Sequence, residues 1–365
     1  MFEIDRRLLQ NFDWMLLLLV TAIVAAGIVN LASATHVGDE LTENVRRQLF
    51  SLGIGGVALV LALVIDYRRF ERLALPLFAI CIALLAATLV FAPVTRGSQS
   101  WIFGGRLQPS ELAKLGLILV LARYFHRNPP GEIRRLRDLA RPCLIAILPV
   151  GLVVLQRDMG VALLTLLIGS TYLAFTRIPW RAWVGVAFIG VATLISLWMF
   201  VLEPYQQRRI LDVIDPGRDP LSSGYQAIQS RIAIGSGGLF GTGYRAGTQT
   251  QLRFLPTQHT DFAFSVLAEE WGFVGSCVVL LLYLTLMLWG LRVARSSKDT
   301  FGAMLAVGLV GAVFWPVVLN IGMVLGLAPV IGVPLPLFSY GGSALVTSLV
   351  GIGLLMNVSM RRYVF

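Results

Sequence analysis

Residues 14–34 read WMLLLLVTAIVAAGIVNLASA, a run with no charged side chain and no alternation of apolar with polar positions. A helix of that length rises about 30 Å, the thickness of a bilayer's hydrocarbon core. The run ends on Ala32-Ser33-Ala34, which resembles a signal-peptidase site. It is nevertheless longer than a signal h-region, and the residues before it mix Glu3, Asp5 and Asp13 with Arg6 and Arg7. It therefore reads as a retained first span. Outward from it, similar runs recur at about 48–65, 73–92, 109–125, 142–156, 159–176, 182–203, 262–291, 301–326 and 344–360. The eighth is too long for one straight span, so its first part is expected to form a separate turn at the membrane edge. The fifth and sixth are short, with their joining turn at Arg157-Asp158. Continuous rather than alternating apolar runs mean helices, not barrel strands. Of 365 residues, 56% are hydrophobic and 14% charged, against about 25% charged in a soluble domain. The expectation is an all-α polytopic membrane protein: one membrane domain, 1–365, with about ten transmembrane helices.

Orientation follows from the basic residues of the short loops. Arg6, Arg7, Arg68, Arg69, Arg72, Arg127, Arg141, Arg292, Lys298, Arg361 and others fall on one side; Arg46, Arg47, Arg96, Arg106 and Arg157 fall on the other. The richer side is cytoplasmic, which puts both termini in the cytoplasm and one long loop, 204–261, outside. The net charge of +10 is thus explained by topology, and no nucleic acid is expected. Cys81, Cys143 and Cys277 sit in apolar runs without C-x-x-C spacing, so they read as small core side chains. Within the long loop, Gly235-Ser236-Gly237-Gly238-Leu239-Phe240-Gly241-Thr242-Gly243 lacks the Lys-Ser/Thr of a P-loop and a preceding strand. It reads as tight backbone packing near the membrane surface, with phosphate contact as the alternative.

Ionisable residues inside spans are costly and default to functional candidates. Glu111 and Lys114 lie three apart on one helical face and can pair. Asp158 and Arg106 flank neighbouring spans. All fall in the outer half, as a structural salt-bridge network, a polar cavity, or both. Asp261 stands where the chain re-enters the bilayer, two residues after His259. Partial desolvation there would raise a carboxylate toward the range of a general base; the alternative is a helix N-cap. Near the C-terminus, Ala328-Pro329 through Pro334-Leu335-Pro336-Leu337-Phe338-Ser339-Tyr340-Gly341-Gly342-Ser343 is too rich in proline and glycine to face lipid. A broken or re-entrant segment facing the polar site is expected.

These motifs carry a resemblance. Asn320 to Ala344, with Phe338-Ser339-Tyr340-Gly341-Gly342-Ser343, resembles the signature of the shape, elongation, division and sporulation (SEDS) family. Gly224-Tyr225-Gln226 through Gly238, Gly247 to Leu252 and Phe254-Leu255-Pro256 to Phe262 are similar to its elongation branch rather than its division branch. The resemblance spans nearly the whole chain. It implies a peptidoglycan glycosyltransferase that polymerises lipid II at the outer face of the bacterial cytoplasmic membrane. It also implies a class B penicillin-binding protein as partner, beside other elongation-complex membrane proteins. The family's essential acidic residue matches Asp261, its membrane pair Glu111 and Lys114, and its turn carboxylate Asp158. Its Arg-Gln matches Arg47-Gln48, and its Tyr-Gln-x-x-Arg matches Tyr205, Gln206 and Arg209. His259, Ser339 and Ser343 complete the expected substrate-binding set. Two positions depart from the pattern. Arg157 replaces the usual proline, which leaves that turn less fixed, and Thr257 stands where a glutamate is common.

The implied chemistry suits this residue set. A lipid pyrophosphate leaves as a stable anion, so the paired carboxylates of a glycosidase are not required. One base takes the proton of the acceptor hydroxyl. Arg and Lys, or a divalent cation such as Mg²⁺ or Mn²⁺, stabilise the departing charge. Two other readings compete: a lipid II flippase, whose polar cavity would alternate between sides, and a scaffold for wall-synthesis partners.

Overall fold

The computed structural model describes residues 10–36, 42–94, 98–102, 104–105, 107–129, 135–176, 179–200, 202–215 and 223–362. Among them the architecture is helical, with only an isolated bridge between Ile102 and Leu107. The helices are α1 (Trp14–Ala34), α2 (Glu43–Val64), α3 (Tyr67–Phe91), α4 (Pro109–Arg127), α5 (Ala140–Leu155), α6 (Met159–Ser170), α7 (Trp180–Phe200), α8 (Pro204–Ile214), α9 (Ser223–Ser236), α10 (Thr248–Gln251), α11 (Ala263–Ser296), α12 (Thr300–Val324) and α13 (Gly342–Arg361). Seven of these segments are long and apolar enough to cross a membrane among the described residues, and shorter apolar stretches lie at Met159–Phe175 and Trp183–Ala192. With α4, whose charged residues lower its hydropathy, they are the segments expected from the sequence. The chain is a multi-pass membrane protein.

The helices sort into a centre and a periphery. α4, α12 and α13 are the centre: every residue from Gly351 to Met360 is buried, as is Leu117 to Ala122. α2, α3, α5 and α7 turn Phe50, Val57, Leu61, Ile80, Phe91, Leu144, Phe188 and Ile195 outward. In water such an apolar exterior would be an aggregation surface; in lipid it is the solvent-facing coat. At one end of the bundle the helices are tied by buried polar groups. Asn357 donates to the carbonyls of Ala62, Leu63 and Ile65, and Asp13 accepts from Trp289 Nε1 and Ser359 Oγ.

The long segment 204–261 is not structureless: it forms α8, α9 and α10. The eighth apolar run also differs from expectation. Its first part is a buried helical arm, Ala263–Glu270, rather than a turn at the membrane edge, and it meets the rest of α11 at Gly272, φ 66°. A break in a helix frees backbone groups that lipid cannot satisfy. Here the glycine run satisfies them. The amides of Thr242 and Gly243 donate to the carbonyls of Glu269 and Glu270, and the amides of Phe273 and Val274 donate to the carbonyls of Gly238 and Leu239. The close approach requires glycines: a Cβ on Gly241, φ 84°, would sit 2.1 Å from the Glu270 carbonyl oxygen. Tight backbone packing is therefore what the run does. Gly241→Ala should lower the thermal midpoint in detergent, since a side chain at such a φ costs about 1–3 kcal/mol before the clash is counted. Gly235→Ala, where a Cβ meets nothing within 4 Å, should not; equal midpoints for the two variants would refute the packing role.

Candidate active site

A cavity of about 1270 Å³ opens among α2, α4, the start of α6, the turn before α11, the segment after α12 and α13. Its polar lining comes from the first turns of α2, α4 and α13: Arg46, Arg47, Glu111, Lys114, Ser343 and Thr347. Its apolar lining comes from further along the helices, at Ile118, Leu309, Val313 and Leu355. One space thus joins a charged mouth to an aliphatic depth.

Asp261 lies on this cavity with His259 and Thr260. It does not cap α11, whose N-cap is Phe262 with no side-chain cap hydrogen bond, so the capping alternative falls. Its backbone is anchored from α12. The Asn320 amide nitrogen donates to the Asp261 carbonyl at 2.7 Å and to the Val333 carbonyl at 2.7 Å. One buried side chain of α12 thereby joins the carboxylate's turn to the proline-rich segment. That segment approaches Asp261 at Gly332, φ 70°, where an added Cβ would lie 3.5 Å from Oδ2. The segment is irregular, as expected, and helices hold it. Tyr283 Oη donates to the Pro336 carbonyl at 2.6 Å; Gln48 donates to the Ser339 carbonyl and accepts from the Gly341 amide. The Tyr340 amide donates to the His259 carbonyl at 3.0 Å, and the two rings lie 5.6 Å apart.

Glu111 and Lys114 form the expected pair, Nζ to Oε1 2.7 Å, with both side chains only 11% exposed. Thr347 Oγ1 donates to the other Glu111 oxygen at 3.2 Å, which carries the pair across to α13. Asp158 caps α6, accepting from the Val161 amide, and also accepts from Ser100 Oγ at 3.0 Å and Gln108 Nε2 at 3.3 Å. The turn before it is thus fixed by the Asp158 carboxylate. Arg157 has φ 62°, which proline cannot adopt, and its guanidinium reaches Glu203 at 3.0 Å. Arg47 pairs with Glu43 at 2.8 Å in an exposed position.

Of the residues singled out from sequence, Arg47, Glu111, Lys114, Asp158, His259, Asp261 and Ser343 share the cavity. Ser339 does not line it: its hydroxyl accepts from the Leu335 amide at 3.1 Å, inside the segment's own turn. Arg209 stands apart, lining a small crevice with Asp212 and donating to the Val330 carbonyl at 3.0 Å. Arg106, Arg96 and the N-terminal charges Glu3 to Arg7 lie outside the described residues, as does the side chain of Tyr205. Arg46, Gln108, Tyr340 and Thr347, not among the expected site residues, also stand on the cavity wall. Nor were Glu269 and Glu270, buried in α11, among the expected residues. The rule that flags intramembrane carboxylates would have found both. Glu269 accepts from the Gln249 and Thr250 amides and Thr250 Oγ1, and Glu270 accepts from Ser33 Oγ.

Among the described residues no three of His, Cys, Asp and Glu converge as metal ligands. At Asp261 the chain offers one carboxylate beside an imidazole, which does not make a resident cation site.

A profile of the FtsW/RodA/SpoVE cell cycle proteins matches residues 11–364. Peptidoglycan glycosyltransferase MrdB of Escherichia coli K12 is 41% identical over 95% of this chain and 93% of its own length. The crystal structure of the rod shape determining protein RodA of Thermus thermophilus superposes with a TM-score of 0.72 at 35% identity, over 96% of this chain and 98% of that one. A chain from a structure described as coordinating polymerization and crosslinking in a peptidoglycan synthase complex superposes with a TM-score of 0.83 at 38% identity, over 97% and 99%.

Proposed function

This chain belongs to the FtsW/RodA/SpoVE family of cell cycle proteins, and from that membership and its cavity we infer that it is a peptidoglycan glycosyltransferase polymerising lipid II during cell elongation. The observation that carries the reading is the Asp261 carboxylate sharing one cavity with Arg46, Arg47 and Lys114 and with an aliphatic depth. In the reaction, Asp261 takes the proton of the acceptor hydroxyl. That oxygen bonds to the donor's anomeric carbon as the bond to the lipid pyrophosphate breaks, and the pyrophosphate leaves with the electron pair. Lys114 is already neutralised by Glu111, so the departing charge falls chiefly to Arg46 and Arg47 at the mouth. The exposed Arg47–Glu43 pair is of a kind worth about 0–1 kcal/mol, so a phosphate readily takes Glu43's place. Arg106 is proposed beside them from its sequence position. The aliphatic depth at Ile118, Leu309 and Leu355 receives the lipid tail, while Asp158, His259 and Ser343 orient the sugars. Arg209 and Ser339 act on the site only through the segment 330–339 that they hold.

The natural partner is a crosslinking enzyme, a class B penicillin-binding protein, consistent with the structural relative that joins polymerization to crosslinking. The deciding experiment is lipid II polymerisation by the purified chain, with and without such a partner. Glycan strands are the expected product; lipid II left intact under both conditions would sink the reading.

We also propose that both termini are cytoplasmic and the cavity extracytoplasmic, from the charge asymmetry of the loops. With Cys81, Cys143 and Cys277 replaced by Ala or Ser, Arg47→Cys and Asp261→Cys should react with an impermeant thiol reagent added outside and not from the cytoplasm. Labelling only from the cytoplasm would reverse the topology. Labelling from both sides in turn would favour the flippase.

A further inference from the structure

A second cavity, of about 470 Å³, adjoins the first. Glu43 and His259 line both, so the two spaces share a wall. The second is different in kind. Beyond Ala34, Leu255 and Pro256 its lining is Thr35, Thr42, Asn44, Arg253, Thr257 and Gln258, without the aliphatic depth of the first. Its volume falls within the roughly 300–1,000 Å³ of small-ligand sites.

This wall is built to stay in place. Gln258 Nε2 donates to the Ala34 carbonyl at 2.7 Å and the Thr250 carbonyl at 3.2 Å. The fully buried Glu269 clamps the amides of Gln249 and Thr250 behind it. Arg253 and Thr257 hold φ values of 57° and 51°. Non-glycine residues occupy that region only where the surroundings over-determine it, and such positions concentrate at ligand clamps. The Arg253 side chain enters no ion pair with a described residue. Its planar fork matches a carboxylate.

We propose that this second cavity is a saccharide subsite. It holds the sugar–peptide part of the growing strand on the far side of His259 from the departing lipid pyrophosphate, and Arg253 pairs with a carboxylate of the peptide. The proposal rests on the glycosyltransferase reading above. An enzyme that adds many units without releasing its product needs a grip away from the reacting bond. Hydroxyl, amide and guanidinium groups suit a saccharide bearing a peptide, whereas the aliphatic depth of the first cavity suits a lipid.

The test uses purified full-length protein and lipid II, reading the initial rate of lipid II consumption and the length distribution of the strands. The variants are Arg253→Glu, Asn44→Trp, which fills the second cavity from a position that does not line the first, and Arg245→Glu. Arg245 is an exposed arginine of the same loop that lines neither cavity. Strand length should fall about fivefold more than initial rate in the first two, ~1 kcal/mol of lost grip, while Arg245→Glu keeps the parental length. Strands of parental length from Arg253→Glu and Asn44→Trp overturn the subsite, and so does a fall of rate and length in parallel. If the parent makes no strands, the glycosyltransferase reading fails and the subsite with it.

Discussion

Purified Asp261→Asn should polymerise lipid II roughly 10²–10⁴-fold more slowly than the parent, the range a positioned general base supplies. The substitution keeps size and shape while removing the negative charge and with it the capacity to take a proton. The backbone anchorage is untouched, because Asn320 holds the carbonyl of residue 261. Thermal midpoint and elution volume should therefore match the parent, which separates lost chemistry from lost fold. Asp261→Glu provides a second check. Gly332 flanks the carboxylate on one side, where an added methyl group would already touch Oδ2 at 3.5 Å, so a longer acid would reach the cavity in altered geometry and recover only part of the rate. An Asp261→Asn enzyme with near-parental turnover would remove Asp261 as the base and shift attention to His259.

The second large effect is expected at the Glu111–Lys114 pair. Both charges are nearly excluded from solvent, and removing one partner strands the other. For buried pairs that costs about 3–5 kcal/mol, whereas replacing both by apolar groups of similar size is often neutral or stabilising. Glu111→Ala and Lys114→Ala should each lower folded yield and thermal midpoint sharply. Glu111→Ala should cost more order on the α13 side, because it also removes the acceptor of Thr347 Oγ1. The double variant Glu111→Leu/Lys114→Met should regain much of the midpoint. Its activity then separates two roles: a stable but inactive double variant means the pair serves the cavity's chemistry, and a stable, active one means it only ties α4 together. Single variants that express and melt like the parent would show that the pair is not buried as its geometry indicates.

Much of this was legible in the chain itself. Long uncharged runs leave a bilayer as the only solvent that suits them, so residues 14–34 and their counterparts announced helices and approximate boundaries before any coordinates. The Glu111–Lys114 pairing followed from a three-residue offset on one helix, and the irregularity of 328–343 from proline and glycine density. These are local properties, and local physics determines them. The glycine run 235–243 was legible in role but not in partner: close packing was expected, yet its docking onto a break at Gly272 lies outside any local window. Glu269 and Glu270 were equally visible as charges in an apolar run, but their partners at Thr250 and Ser33 lie outside any local window.

The tertiary structure decided what sequence spacing cannot hold. Arg47, Glu111, Asp158 and Asp261 come from four separate segments, and only the packing of α2, α4, α6 and the arm of α11 around one cavity makes them neighbours. The same packing turned Arg209 to the Val330 carbonyl and Ser339 into its own turn, although both sit in motifs as suggestive as those on the cavity wall. The reason is physical. Partition into lipid depends on the composition of a twenty-residue stretch and is settled segment by segment. A site depends on which faces of those segments meet, and that is fixed by buried long-range contacts such as Asn320 bridging Asp261 and Val333, whose partners no single stretch contains.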